Sequence, residues 1–234
     1  KFSKIIYEEQ STISEELNMV EIDISNLSAS SRYTILTSLV VPRPIAFVTT
    51  INEHGVVNAA PFSYFNLMGN DPPIVALGIG KDESRKLGLK DTGYNIQKTR
   101  EFVINTVNED IIEQVNLTSI DFPSEMDESE IAGLTKLQSV KVKPPRIKES
   151  VSNLECRHIS TIEIGNSRVV LGEIIYLHIQ KEYIKMEEND QSVLTELIKP
   201  VGRMHGRDFY SRTTTDLFRL SRQSYKEWKN KLNR

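Results

Sequence analysis

Apolar residues fall in short runs along most of this chain, separated by Gly, Pro, Asn and Asp, which is the pattern of a sheet-rich protein. From Arg43 to Asn52 the run is rich in Ile, Phe, Val and Thr, a β-branched and aromatic composition that predicts a strand. Glu53-His54-Gly55 follows, with Gly where a tight turn needs positive φ. Val56 to Phe62 returns as a second strand, and Asp71-Pro72-Pro73 breaks regular structure before a third, Ile74 to Ile79. The intervening Ser63, Tyr64 and Asn66, set among Phe62, Phe65 and Leu67, read as a connecting loop. Glu101 to Val107 is expected as a strand with Phe102, Ile104 and Thr106 on one face. Farther on, Asn153 to Ile164 alternates with Leu154, Cys156, His158, Ser160, Ile162 and Ile164 on one side. Gly165-Asn166-Ser167 then turns it into Val169 to Ile179, a long antiparallel hairpin.

Helical signals are fewer. Ile22 to Ile24 reads as a short strand, and Ser30 or Ser31 as the cap of a helix toward Leu39, ended by Pro42. Asp91 is the expected N-cap of a helix to about Thr99, weakened by Gly93. Ile111, Ile112, Val115 and Leu117 fit a short amphipathic helix, and Tyr225, Trp228 and Leu232 another in a basic segment. Asp121 to Glu130 is acidic and irregular, a lid or a surface loop. Many short strands and few short helices argue for a closed or partly closed antiparallel barrel over alternating βαβ units.

A chain of 234 residues with 38% hydrophobic content suffices for one large domain. We expect an N-terminal arm over 1–20, the barrel domain over 21–212 and a helical extension over 213–234. A net charge of −3 from balanced acids and bases gives no field that would favour nucleic acid or an anionic membrane. One cysteine excludes an intramolecular disulfide, and no charged-then-apolar leader or apolar run of spanning length is present. The chain reads as cytoplasmic.

Two stretches carry candidate chemistry. The segment around Ser63, Tyr64 and Asn66 could cradle a flat heteroaromatic ligand, with hydroxyls and amides at its polar edges and aromatic groups over its faces, or could be an ordinary buried loop. Ser84-Arg85-Lys86 with Lys90-Asp91-Thr92 puts cations and hydroxyls within nine residues, the second group at a helix start. That combination suits a phosphate, and a solvated charged loop is the alternative. Cys156 and His158 share a strand face but lack a second pair for zinc, so no metal site is expected. No G-x-S-x-G elbow, Walker loop or G-x-G-x-x-G is present.

The order of several blocks resembles one family. Arg43-Pro44-Ile45-Ala46, Thr49-Thr50, Asn58 to Asn66, Asp71-Pro72-Pro73, Lys90-Asp91-Thr92, Glu101 to Asn105, Lys143-Pro144-Pro145-Arg146, Leu154-Glu155-Cys156, Leu171-Gly172-Glu173 and Pro200-Val201-Gly202-Arg203 look like the flavin reductase-like family of FMN-binding split-barrel proteins, which includes flavoredoxins. The resemblance implies a mainly β fold, a six-stranded antiparallel split β-barrel with Greek-key connections, working as a homodimer with flavin near the subunit interface. It implies FMN as cofactor, with FAD the lesser expectation.

By the same resemblance, the phosphate meets the loop after the third strand. That draws in Ser84, Arg85, Lys86, Lys90, Asp91 and Thr92, and which cation bonds it is open. Arg43, Thr49, Thr50, Pro61, Phe62, Ser63, Tyr64, Phe65 and Asn66 are implied beside the ring. So are Arg203 and His205, the latter where the family usually carries Gly. NAD(P)H is the implied transient donor, docking on the flavin because no Rossmann crevice exists. The flavin does the redox chemistry in such a protein, so no essential acid, base or nucleophile is expected. Two alternatives stand beside this oxidoreductase reading: a flavoredoxin-like carrier reduced by a partner protein, and a non-catalytic flavin-binding module.

Overall fold

The structure, a computed structural model, describes residues 13–14, 19–188 and 190–232. Two compact units are present, Lys1–Val41 with Met204–Phe209, and Pro42–Arg203 with Tyr210–Arg234. In the first, helix α1 (Ala29–Leu39) is capped by Ser28, whose extended backbone lets its Oγ accept from Ser31 N at 3.1 Å. Ser30 and Ser31, expected as caps, are therefore residues of the first turn. The strand expected at Ile22 to Ile24 is replaced by a 3₁₀ turn over Ile24–Asn26, because the Asp23 carboxylate accepts from Ser25 N at 2.9 Å and bends the chain.

The second unit holds strands β1 (Ala46–Ile51), β2 (Val57–Phe62), β3 (Phe65–Asn70), β4 (Pro73–Gly80), β5 (Glu101–Thr106), β6 (Ser152–Ile164) and β7 (Ser167–Ile179). They form one antiparallel sheet of seven strands in the order β2-β1-β5-β6-β7-β4-β3. The split barrel is thus present, with one strand more than the pattern predicts. That strand is β3, read from the sequence as loop: Phe65 pairs with Leu77, Asn66 with Ala76 and Leu67 with Val75. Backbone pairing to β4 outweighs the weak alternation of Phe-Asn-Leu-Met-Gly-Asn. The β1–β2 turn forms as expected, with Gly55 at φ 84° and Asn52 Oδ1 accepting from His54 N and Val56 N, each at 2.9 Å.

Both faces of β1 are covered. Ala46 and Val48 join Val75, Leu77, Ile79, Phe102, Ile104, Cys156 and Val170 in the core around which the sheet curls. Phe47 points the other way, into a second core with Ala59, Val107, Ile111, Val115 and Ile147. Double coverage explains why this strand lacks the apolar–polar alternation of a half-exposed strand. Helix α2 (Asp91–Thr99) contributes Ile96 to the first core, while α3 (Ile112–Leu117) brings Val115 to the second. A short helix, α4 (Glu128–Ile131), occupies the acidic segment. The β6–β7 hairpin has register shifts between Glu155 and Cys156 and between His158 and Ser160, so the single alternating face expected there is interrupted. Gly172 lies opposite the second shift, where a Cβ would clash with the Phe102 ring.

One buried carboxylate ties these layers together. Glu155, fully buried, accepts from Val140 N at 2.7 Å, Lys141 N at 2.6 Å, Val142 N at 3.2 Å and His178 Nε2 at 2.6 Å. Burial alone would raise its pKa, but the backbone donors and His178 outweigh it and hold the carboxyl below the usual range. After β7 the chain ends in a ribbon, β8 (Val201–Arg203) with β9 (Tyr210–Arg212), and a last helix, α5 (Tyr225–Leu232). No helix among the described residues is long and apolar enough to cross a membrane.

Candidate functional site

A cleft of about 410 Å³ opens beside the terminal strand β2, between Asn58 to Phe62, the loop after β4, the start of α2 and the segment Thr118 to Phe122. Arg85 organises the loop wall. Its guanidinium reaches Asp91 at 3.3 Å, the Phe122 carbonyl at 2.7 Å, Ser124 Oγ at 3.2 Å, and Asp121 in a short contact. Asp82 stands 3.9 Å away. The hydrogen bond to Asp121 raises the Arg85 pKa further. The residue pins the acidic segment to the start of α2.

Asp91, expected as the N-cap, is instead the first helical residue, and Lys90 is the cap with φ −60° and ψ 148°. The Asp91 carboxylate is drawn outward, accepting from Arg85 and from Ser124 Oγ at 2.8 Å. Lys90 is exposed, and its ammonium has no hydrogen bond or ion pair among the described residues. Thr92 is buried and accepts from Asn58 Nδ2 at 2.8 Å, which fixes the helix start against β2. The first-turn N–H groups of α2 have no intrahelical acceptors, as at any helix start.

Glu128 closes the cleft from α4. It is buried, and Oε2 accepts from Ala59 N at 2.9 Å. Burial pushes its carboxyl pKa up against the opposing Ala59 hydrogen bond, and the charges of Asp91 and Asp127 add to the rise. The lining thus carries Asp82, Asp91, Asp121 and Glu128 against Arg85 and Lys90. Three of these acids lie against Arg85, and Lys90, which acts on Asp82 only through its charge, is the cation of the lining without a hydrogen bond or ion pair among the described residues.

Of the residues singled out from the sequence, Pro61, Phe62, Arg85, Lys90, Asp91 and Thr92 line this cleft. The others stand elsewhere. Thr49 is fully buried and donates to the Pro145 carbonyl at 2.5 Å, while Thr50, also fully buried, accepts from Asn95 Nδ2 at 3.0 Å. Both hydroxyls are committed to holding β1. Ser84 Oγ donates to Asp82 at 2.6 Å. Lys86 starts a 3₁₀ turn, and its side chain lies outside the described residues. Buried Arg43 places Nε 3.5 Å from Ser63 Oγ, and its backbone pairs with Arg203. Arg203 in turn lays its guanidinium 4.7 Å from the Tyr210 ring centre.

Tyr64 is exposed, and its Cβ sits 2.8 Å from where a Gly78 Cβ would stand. Phe65 packs on the first core, and Asn66 Oδ1 accepts from Leu67 N at 2.9 Å. His205 belongs to the other compact unit, stacked on Phe209 with ring centres 4.8 Å apart. Buried Cys156 donates to the Leu154 carbonyl, and His158 Nε2 pairs with Thr161 Oγ1 at 2.7 Å. Among the described residues no three His, Cys, Asp or Glu are grouped to hold a metal.

Glu128 is the residue the sequence reading passed over. Its helix begins at Asp127, whose carboxylate accepts from Ser129 N and Glu130 N. The Asp127 to Glu130 spacing is a capping-box signal inside a stretch that composition alone marks as irregular.

Comparison with known proteins agrees with the fold. Residues 38–190 match the family model of the flavin reductase like domain. An uncharacterised protein of Deinococcus radiodurans is 37% identical over 88% of this chain and 91% of its own length. Among solved structures, 2-nitrobenzoate 2-nitroreductase of Pseudomonas fluorescens is 34% identical with a TM-score of 0.76, covering 88% of this chain and 97% of that one. Nitrilotriacetate monooxygenase component B of Bacillus cereus is 28% identical with a TM-score of 0.79, covering 86% and 98%. The chain belongs to the flavin reductase-like family, and its chemistry is that of a flavin oxidoreductase.

Proposed function

We propose that the protein is an FMN-dependent oxidoreductase that takes reducing equivalents from NAD(P)H and works as a homodimer. The observation that carries this reading is the Lys90 ammonium at the start of α2, without a hydrogen bond or ion pair among the described residues, in a cleft also lined by Asn58, Ala60, Pro61 and Phe62. A phosphate monoester suits that corner, since the ammonium and the first-turn N–H groups both favour an anion. Pro61 and Phe62 supply apolar surface next to it, and Asn58 with Thr92 keeps the two walls in register. FMN fits this reading better than FAD, because a single terminal phosphate at one free cation needs no adenylate subsite.

When bound, the flavin supplies the hydride-accepting chemistry. The protein's own contribution is anchoring and positioning. Arg85 holds the Asp121 to Ser124 segment as part of the cleft wall. Thr49 and Thr50 act one layer behind, by fixing β1 against β5 and α2.

Equilibrium dialysis followed by anaerobic titration tests the proposal. About one FMN should be retained per chain, with bleaching of the flavin band by NADH or NADPH. No retention at micromolar FMN would overturn the cofactor assignment. Bleaching by a reduced redox protein but by neither nicotinamide would replace the enzyme with an electron carrier.

A further inference from the structure

Two buried glutamates are held in different ways. Glu155 gathers three backbone N–H groups and His178 Nε2 within 3.2 Å, a shell that suits a carboxylate. Glu128, in the lining of the cleft beside β2, has one such donor, Ala59 N at 2.9 Å, and no cation paired with it among the described residues. Its charged neighbours are mostly acids. Asp91 from α2 and Asp127 from the cap of α4 both act on it through their charge, and Asp82 and Asp121 share the lining. Of the cations, Arg85 lies against Asp82, Asp91 and Asp121, and Lys136 against Asp127 and Glu130. Strand β2, on which α4 packs, contributes no titratable side chain.

A short chain of contacts joins Glu128 to the corner proposed for the phosphate. Glu128 holds Ala59 N, the preceding Asn58 donates to Thr92 Oγ1 at 2.8 Å, and Thr92 is two residues from Lys90, the cap of α2. A phosphate at Lys90 would stand beside Asp91 and add to the negative charge that Glu128 already feels. We propose, resting on FMN as the occupant of this cleft, that Glu128 is a proton site coupled to the phosphate: the ligand binds with the Glu128 carboxyl neutral, and a chain in which it is ionised takes up one proton from solvent as the ligand enters. Like charges repel more strongly in a partly buried site than in water, and the raised pKa of Glu128 points the same way. A neutral carboxyl still offers an oxygen to Ala59 N, so protonation leaves the contact between α4 and β2 in place. The sign follows from linkage: a bound dianion raises the Glu128 pKa further, so affinity falls as pH rises from the ligand-free value to the ligand-bound one. Glu128 thereby also sets how strongly the cleft prefers FMN to riboflavin.

Calorimetric titration of FMN into the full chain, wild type and Glu128→Gln, from about pH 5 to about pH 9 tests this. Dividing the two affinities at each pH cancels the titration of the FMN phosphate itself. The two proteins should agree at the acid end, and the variant should bind roughly three- to tenfold tighter at the alkaline end. Riboflavin, which has no phosphate, should give a ratio that stays constant with pH. Where the FMN ratio changes most, the wild-type binding enthalpy should depend on the ionisation heat of the buffer more than that of Glu128→Gln, the mark of a proton taken up by this carboxyl. An FMN ratio that does not change with pH, a variant that binds FMN more weakly at every pH, or equal buffer dependence in the two proteins would overturn Glu128 as the proton site. The same change for riboflavin would overturn its coupling to the phosphate. Absence of FMN binding by both proteins at every pH would remove the cofactor reading and this one with it.

Discussion

Two cations on the first cleft wall have different work to do. Arg85 is surrounded by Asp82, Asp91 and Asp121 and by the Phe122 carbonyl, whereas Lys90, also in the cleft lining, feels the charge of Asp82 but makes no hydrogen bond or ion pair among the described residues. Lys90→Ala should therefore weaken FMN by about 1–2 kcal/mol, roughly five- to thirtyfold, and leave riboflavin nearly unchanged. Dialysis of both ligands against the same variant checks this, and equal losses would show that Lys90 supports the fold. Glu128 gives a second residue-level expectation. Its pKa is raised by burial, so it imposes no cost where it is protonated in both states. Stability falls as pH rises through the ordinary carboxylate range, where only the unfolded chain releases the proton readily. Glu128→Gln keeps an oxygen for Ala59 N and removes the charge. In cofactor-free protein it should raise the melting temperature by about 2–4 °C at pH 7, as roughly 1 kcal/mol would, and by nothing at acid pH. Thermal scans at the two pH values decide it.

At the scale of elements, the connection between β5 and β6 depends on one side chain. Glu155→Ala would leave Val140 N, Lys141 N, Val142 N and His178 without their shared acceptor. A loss of about 3 kcal/mol or more is expected, since each orphaned buried donor costs about 1–3 kcal/mol. The depressed pKa of Glu155 fixes the pH dependence: this stabilisation is full above the ordinary carboxylate range and is lost as pH falls through the lower folded value. Urea melts of wild type and Glu155→Gln should accordingly converge toward acid. Strands with strong β-branched runs, such as β1, β5 and β7, were legible in the sequence because burial on their faces selects that composition. Strand β3 was not, because its pairing is decided by a neighbour and not by its own residues. The cap of α2 was misread for a related reason: Asp91 has the right chemistry for an N-cap, but Arg85 and Ser124 draw its carboxylate away from the helix. The cleft shows the same division. Lys90 and Thr92 stood out as local motif residues, while Glu128 reaches the cleft only through the packing of α4 on β2.

For the molecule as a whole, the terminal position of β3 bears on assembly. Among the described residues this strand pairs only with β4, so its outer backbone groups lie at an open edge. Leu67 is 57% and Met68 58% exposed on it, and adjacent Tyr64 is 52% exposed. An edge strand with large apolar side chains on both faces is an aggregation hazard unless something covers it, and it lacks the lysines or prolines that usually blunt such edges. A second copy of the chain is the cover that the proposed homodimer supplies, with a symmetric contact in which each protomer presents the same patch. Light scattering at micromolar concentration should give twice the 26.7 kDa of one chain. The Leu67→Lys and Met68→Lys double variant should shift that mass toward the monomer, because burying two unpaired ammonium groups at a packed contact costs several kcal/mol. Far-UV circular dichroism should be retained, since neither side chain belongs to the two cores. A wild type that scatters as a monomer would remove the dimer. A dimeric double variant would move the contact away from this edge strand.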